Sequence, residues 1–124
     1  MGPYEILDTS FYAKDEIPWY HVVKQVAFED AELVSDAGGD FVGICQEYSD
    51  DVDVARGRIV RVRVEGVSRA IASGAIPLRA RVAATADGRV AVASGGQTVV
   101  GIATTEATQA GDWLNVHITQ GVVA

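Results

Sequence analysis

The chain repeats itself, and a repeat of strands and turns limits what it can fold into more than any single residue does. Val42-Gly43-Ile44-Cys45, then Ala55-Arg56-Gly57, the alternating run Val60-Arg61-Val62-Arg63-Val64 and Gly66-Val67 recur as Val100-Gly101-Ile102-Ala103, Gln109-Ala110-Gly111, Leu114-Asn115-Val116-His117-Ile118 and Gly121-Val122. A glycine pair stands in front of each copy, Gly38-Gly39 and Gly95-Gly96. The internal period is about 55 to 58 residues and marks a duplicated structural unit. Neither copy carries a chemically active constellation, so the pattern predicts a scaffold whose function lies in its surfaces rather than in a catalytic pocket.

A chain of 124 residues fits one domain and can bury a modest core without metals or crosslinks. Its hydrophobic residues are mostly small or β-branched, and thirteen glycines stand against three prolines, as short strands joined by tight turns require. The expected fold class is all-β: a small β-barrel of duplicated β-units over residues 21–124, with pseudo-repeats at about 23–67 and 79–122. His21 to Val26, Ala31 to Val34, Phe41 to Gln46, Leu78 to Ala84 and Arg89 to Val92 read as strands, with Asp87-Gly88 as a hairpin turn. In Val60 to Glu65 the valines face inward and Arg61, Arg63 and Glu65 outward. Between the copies, Ser68 to Ser73 has room for one helical turn but no cap.

Residues 1–20 differ from the rest. Tyr4, Phe11, Tyr12, Trp19 and Tyr20 are five of the nine aromatics in the chain, and they follow no sustained period. The segment reads as an extended arm. Its rings cover an open end of the β-core, grip a partner, or do both, since Tyr and Trp bury much area with few torsions to freeze.

Charge is unevenly placed. Residues 1–54 carry thirteen acids and two bases, whereas residues 55–124 carry four acids and eight bases. The halves are complementary, either within one subunit or between subunits packed head to tail. Arg61, Arg63 and Arg79 are the expected subunit-interface charges. A net charge of −7 disfavours nucleic acid as a partner, because phosphate neutralisation needs a positive surface. No apolar run approaches the length of a bilayer span, and no targeting pattern opens the chain, so neither membrane nor secretion is expected.

No motif for chemistry is present. His21 and His117 are far apart in sequence, the single Cys45 sits within a strand pattern, and no nucleophile elbow, phosphate loop or paired metal-ligand spacing occurs. Asp50-Asp51-Val52-Asp53 lacks the glycine and glutamate of a calcium-binding loop. The expectation is no catalytic residue, no cofactor and no metal.

The run Ala70-Ile71-Ala72-Ser73-Gly74-Ala75-Ile76-Pro77-Leu78, followed by Ala86-Asp87-Gly88-Arg89-Val90, Val100-Gly101-Ile102-Ala103 and Gln109-Ala110-Gly111-Asp112-Trp113-Leu114-Asn115-Val116, resembles the tailed-phage capsid cement or head-decoration family. Members share an Ile-x-x-Gly step, an Asp-Gly hairpin, a Val-Gly-Ile/Val-Ala strand and an Ala-Gly-(Asp/Glu)-x-(Leu/Val)-x-Val ending, in that order. Pro77 departs from the pattern, and so does the aromatic N-terminal segment. The resemblance implies a β-clip type of fold with an ordered N-terminal arm. It also implies a structural virion protein that is not an enzyme. Such a protein is made in the host cytoplasm, binds major capsid protein on the outer surface of the head as a homotrimer, and stabilises the shell. The alternatives are another phage part, such as a head fibre base or tail accessory, and a small-ligand β-barrel.

Overall fold

Alternation and turn placement set the strands. In the computed structural model, which describes residues 6–13, 17–28, 30–33, 36–47 and 58–124, nine strands follow one another. They are β1 (Leu7–Ala13), β2 (Val22–Ala27), β3 (Asp30–Leu33), β4 (Gly43–Cys45), β5 (Arg58–Ile71), β6 (Arg81–Ala84), β7 (Val90–Val92), β8 (Thr98–Ala103) and β9 (Trp113–Val123). About 59% of the structure is strand, and no helix occurs among the described residues.

The 14-residue β5 organises the whole fold. Its first half buries Val60 and Val62 while Ile59 and Arg61 face solvent, and it pairs with β1 on one side and β4 on the other. β4 pairs with β2, β2 with β3, and β3 returns to β1, so five strands close into a barrel. Among the described residues of this barrel, only the β1–β3 contact is parallel. At Gly66 the backbone takes φ 101°, a conformation that side chains with a Cβ rarely adopt, and β5 leaves the barrel. Gly66–Ile71 then pairs with β9, β9 with β8, β8 with β6 and β6 with β7. One parallel bridge, Ala72 to Val90, closes this second set, and the Ser73 N–H donates to the Val90 carbonyl at 2.9 Å.

The second set of strands repeats the first. β1 corresponds to the later half of β5, β2 to β6, β3 to β7, β4 to β8, and the early half of β5 to β9. The registers agree pair by pair. Phe11 faces Val60 as Ala70 faces Leu114, and Tyr12 faces Ile59 as Ile71 faces Trp113. Val23 lies between Leu33 and Gly43 as Val82 lies between Val92 and Gly101. Ala13 meets Ala31 in parallel as Ala72 meets Val90. The structural correspondence begins at Leu7 and at Gly66, earlier than the expected bounds, because β5 ends one unit and opens the next.

Each unit has its own core. In the first, Phe11, Ala13, Ile17, Val23, Ala31, Cys45, Val60 and Val62 pack together. Their counterparts Ala70, Ala72, Ile76, Val82, Val90, Ala103, Leu114 and Val116 all lie in the second core. Full burial of one such aliphatic side chain contributes roughly 1.5–3 kcal/mol. Three residues of the first unit, Tyr20, Val22 and Ile44, belong to the second core and weld the units together. Polar ties reinforce the seam. Val22 N–H donates to the Gly88 carbonyl at 2.7 Å and Gly38 N–H to the Ala84 carbonyl at 2.8 Å. Buried Gln46 Nε2 donates to Ser68 Oγ at 2.7 Å and to the Ile44 carbonyl at 3.0 Å, so its amide protons are not stranded.

Two sequence expectations change here. The segment expected as an extended arm is, over Leu7–Ala13, a barrel strand with Phe11 and Ala13 buried, because its alternate residues complete the first core. Ser68 to Ile71 is strand rather than a helical turn, since Ser68, Ala70 and Ala72 are buried in alternation and β9 satisfies the backbone. Tyr4 and the acidic segment Asp50 to Asp53 lie outside the described residues.

Candidate docking surface

The titratable groups inside the fold are placed for packing. Burial pushes the Cys45 thiol up to about 12, so at neutral pH it is an unreactive apolar side chain. His21 Nδ1 lies 3.0 Å from the Trp19 carbonyl. Among the described residues no group of three or more His, Cys, Asp or Glu is placed to hold a metal ion, and no helix is long and apolar enough to cross a membrane.

The surface is more distinctive than the interior. In the Ile17-Pro18-Trp19-Tyr20 loop, Tyr20 adopts φ 63° and drops its ring into the seam between the units, where it is 8% exposed. Its hydroxyl donates to Glu47 Oε1 at 2.5 Å. Burial and then the Glu47 hydrogen bond raise its pKa, while Arg69 pulls the other way. Arg69 and Trp113 reach the same place from neighbouring strands. Ile71 is the register partner of Trp113 and Arg69 that of Asn115, so Arg69 and Trp113 are diagonal neighbours on one sheet face, within reach of long side chains. The Arg69 guanidinium lies 4.8 Å from the Trp113 ring centroid and 5.9 Å from that of Tyr20. The two rings meet edge to face at 5.9 Å and 62°. Trp113 nonetheless remains 59% exposed and Trp19 42% exposed. Cation–π and edge contacts hold the Trp113 ring in place. Such an arrangement presents a flat ring face and a guanidinium together to solvent.

The other expected contact residues are dispersed. Phe11 is a core residue, whereas Tyr12 is exposed beside its register partner Ile59, also exposed. Asp8 on β1 holds both Arg61, at 3.3 Å, and Arg63, at 2.9 Å. Arg63 also donates to the Val67 carbonyl at 3.0 Å. Two of the three expected interface charges are thus engaged within the chain. Arg79 is exposed and adopts φ 69°.

Sequence reasoning did not single out Arg69, Trp113, Phe28, Leu78 or Ile102 as surface residues. A signal for Trp113 existed: if Leu114, Val116 and Ile118 face inward, the alternation puts Trp113 outside. For Phe28 there was none, because an isolated aromatic at the end of a strand pattern reads equally well as core.

Comparison with known proteins identifies the family and the fold. The family model described as phage cement protein matches residues 17–120. No curated protein sequence matches significantly. Among solved structures, the N base of the head fibre gp8.5 of bacteriophage phi29 is similar, with a TM-score of 0.68 and 18% identity over 93% of this chain and 95% of that one. At that identity the likeness is one of fold.

Proposed function

The chain belongs to the phage cement protein family, and from that premise we propose that it binds major capsid protein on the outer surface of the assembled head, as a homotrimer, and reinforces the shell without performing any reaction. The carrying observation is the family match across nearly all of both units. The exposed Trp113, held against Arg69 and the buried Tyr20 ring, supports it, because Trp and Arg are among the residues that most often dominate the binding energy of protein interfaces.

A ligand that binds the assembled lattice and not its disassembled parts stabilises the lattice by mass action, by about 2.7 kcal/mol per site at a hundredfold excess over its Kd. Purified protein should add stoichiometrically to expanded heads and not to unexpanded ones, and saturated heads should rupture at a higher temperature than bare heads. Equal rupture temperatures would remove the reinforcement. A second reading, the base of a head fibre, is favoured by the fold likeness to the phi29 fibre base. It predicts that electron microscopy of complete virions shows a fibre emanating from each copy, where cement alone shows a bare knob.

A further inference from the structure

The two units do not meet symmetrically, and each leaves uncovered what the other uses. The second unit covers one face of the first: Tyr20, Val22 and Ile44 enter its core. The turn between β6 and β7 supplies the edge of that contact. Its Gly88 carbonyl accepts the Val22 N–H, and Gly88 fits so closely that a Cβ there would lie 2.8 Å from Leu33 Cδ2 and 3.3 Å from His21 Cβ. The same face recurs on the second unit, where Arg79, Arg81 and Ile102 hold the positions of Tyr20, Val22 and Ile44, and Leu78 holds that of Trp19. All four are exposed. The turn that does the covering recurs as well. Its counterpart at the end of β2 carries Val26, 40% exposed, within the strand and Phe28, 88% exposed, directly after it. One chain therefore carries an unused turn at one end and an unused receiving face at the other. Their charges are complementary: Asp30 follows the turn, while Arg79 and Arg81 lie on the face; Glu32 is engaged by Lys24 of its own chain at 3.5 Å.

We propose that the Val26–Phe28 segment of one copy docks on the Leu78, Arg79, Arg81 and Ile102 face of a second copy, using between chains the positions that join the units within a chain, with Phe28 as the anchor in place of the close fit of Gly88. The contact is heterologous, so it closes into a ring or continues as a filament according to the rotation between copies. Phe28 is the apolar anchor and the arginines set register and partner choice. This contact would supply the self-association in the functional reading above and rests on that reading for its partner. It is tested on free protein, so its failure leaves capsid binding untouched.

The test is analytical ultracentrifugation of the full chain and of two variants, Phe28→Glu and Ile102→Asp, with far-UV circular dichroism to establish that each is folded. Wild type should associate in a concentration-dependent way, and each variant should lose about tenfold or more in affinity. Mixing the two defective variants is decisive. One retains an intact face and the other an intact turn, so together they should form a one-to-one heterodimer that grows no further. Arg81→Glu, which leaves the apolar packing alone, should weaken association most at low salt. A monomeric wild type, variants that keep the wild-type mass, or a mixture that yields no heterodimer would each overturn the proposal.

Discussion

Tyr20 and Arg79 occupy the same position of the two units: each stands two residues after the proline of an Ile-Pro step and takes a left-handed backbone, φ 63° and 69°. Each donates its N–H across to the neighbouring strand, to the Cys45 carbonyl at 2.7 Å and the Ala103 carbonyl at 2.8 Å. The preceding isoleucines, Ile17 and Ile76, are both 1% exposed and anchor the loop. The backbone has been kept while the side chains have parted, one into the seam and one into solvent.

That divergence predicts opposite responses to glycine. A left-handed residue with a Cβ costs about 1–2 kcal/mol, offset in part by the extra entropy glycine brings to the unfolded chain. Arg79→Gly, which removes an exposed side chain, should be neutral or stabilising by up to about 1 kcal/mol. Tyr20→Gly gains the same relief but loses a buried ring, so it should destabilise by about 2–4 kcal/mol. Urea denaturation of both variants reads the difference.

Gly43 and Gly101 give a second matched pair. An added Cβ would lie 2.2 Å from the Arg63 carbonyl oxygen in one unit and 2.2 Å from the His117 carbonyl oxygen in the other, backbone atoms that cannot swing aside. Gly43→Ala and Gly101→Ala should therefore each cost about 1–3 kcal/mol or more. At Gly95 nothing lies within 4 Å of an added Cβ, so Gly95→Ala should stay within about 0.5 kcal/mol of wild type. Equal tolerance at all three would mean that β4 and β8 do not approach β5 and β9 as described.

These pairs also show what was legible in the sequence. The strands around Gly43 and Gly101 carry the same short motif and the same alternation, so β4, β8, the early half of β5 and β9 announce the duplication by themselves. The first strands of each unit do not. Phe11 and Ala70 share a position but not a size, and the Ile-Pro steps at Ile17 and Ile76 are too short to stand out against unlike neighbours. The closure of the barrel depends on the parallel β1–β3 contact, which leaves no local trace. The surface residues were harder still. Trp113 and Arg69 are distant in sequence and meet only because β5 and β9 share a register, and Asp8 captures Arg61 and Arg63 only once β1 is known to be a strand.

Cys45 makes stability fall at high pH. Its thiol ionises near the ordinary 9.0 when unfolded but at about 12 when folded, because burial penalises the thiolate. Above pH 9 the unfolded chain sheds a proton that the folded chain keeps, so alkali favours unfolding. Between pH 8 and pH 10 the loss from this group should be about 1 kcal/mol. Cys45→Ala, which copies the Ala103 of the second unit, should abolish that part of the pH dependence. Denaturation curves of both proteins at the two pH values test it; parallel losses would show that the thiol is not buried.

The two cores fill equivalent positions with different volumes, and that bears on which substitutions can be combined. Phe11 faces Val60 where Ala70 faces Leu114, and Ala31 in the first core stands where Val90 stands in the second. A large side chain on β1 is matched by smaller ones around it, and a small one on β5 by larger neighbours. Phe11→Ala alone should cost about 3–5 kcal/mol, since it leaves a cavity in a close-packed core. Adding Val60→Leu and Ala31→Val copies the second solution into the first barrel. The triple variant should then recover a large part of the loss, even though Val60→Leu and Ala31→Val made in the presence of Phe11 overpack the core and destabilise it. The sign of the non-additivity is the measurement. If the added methyl groups are as harmful without Phe11 as with it, the two cores are not alternative packings of one frame.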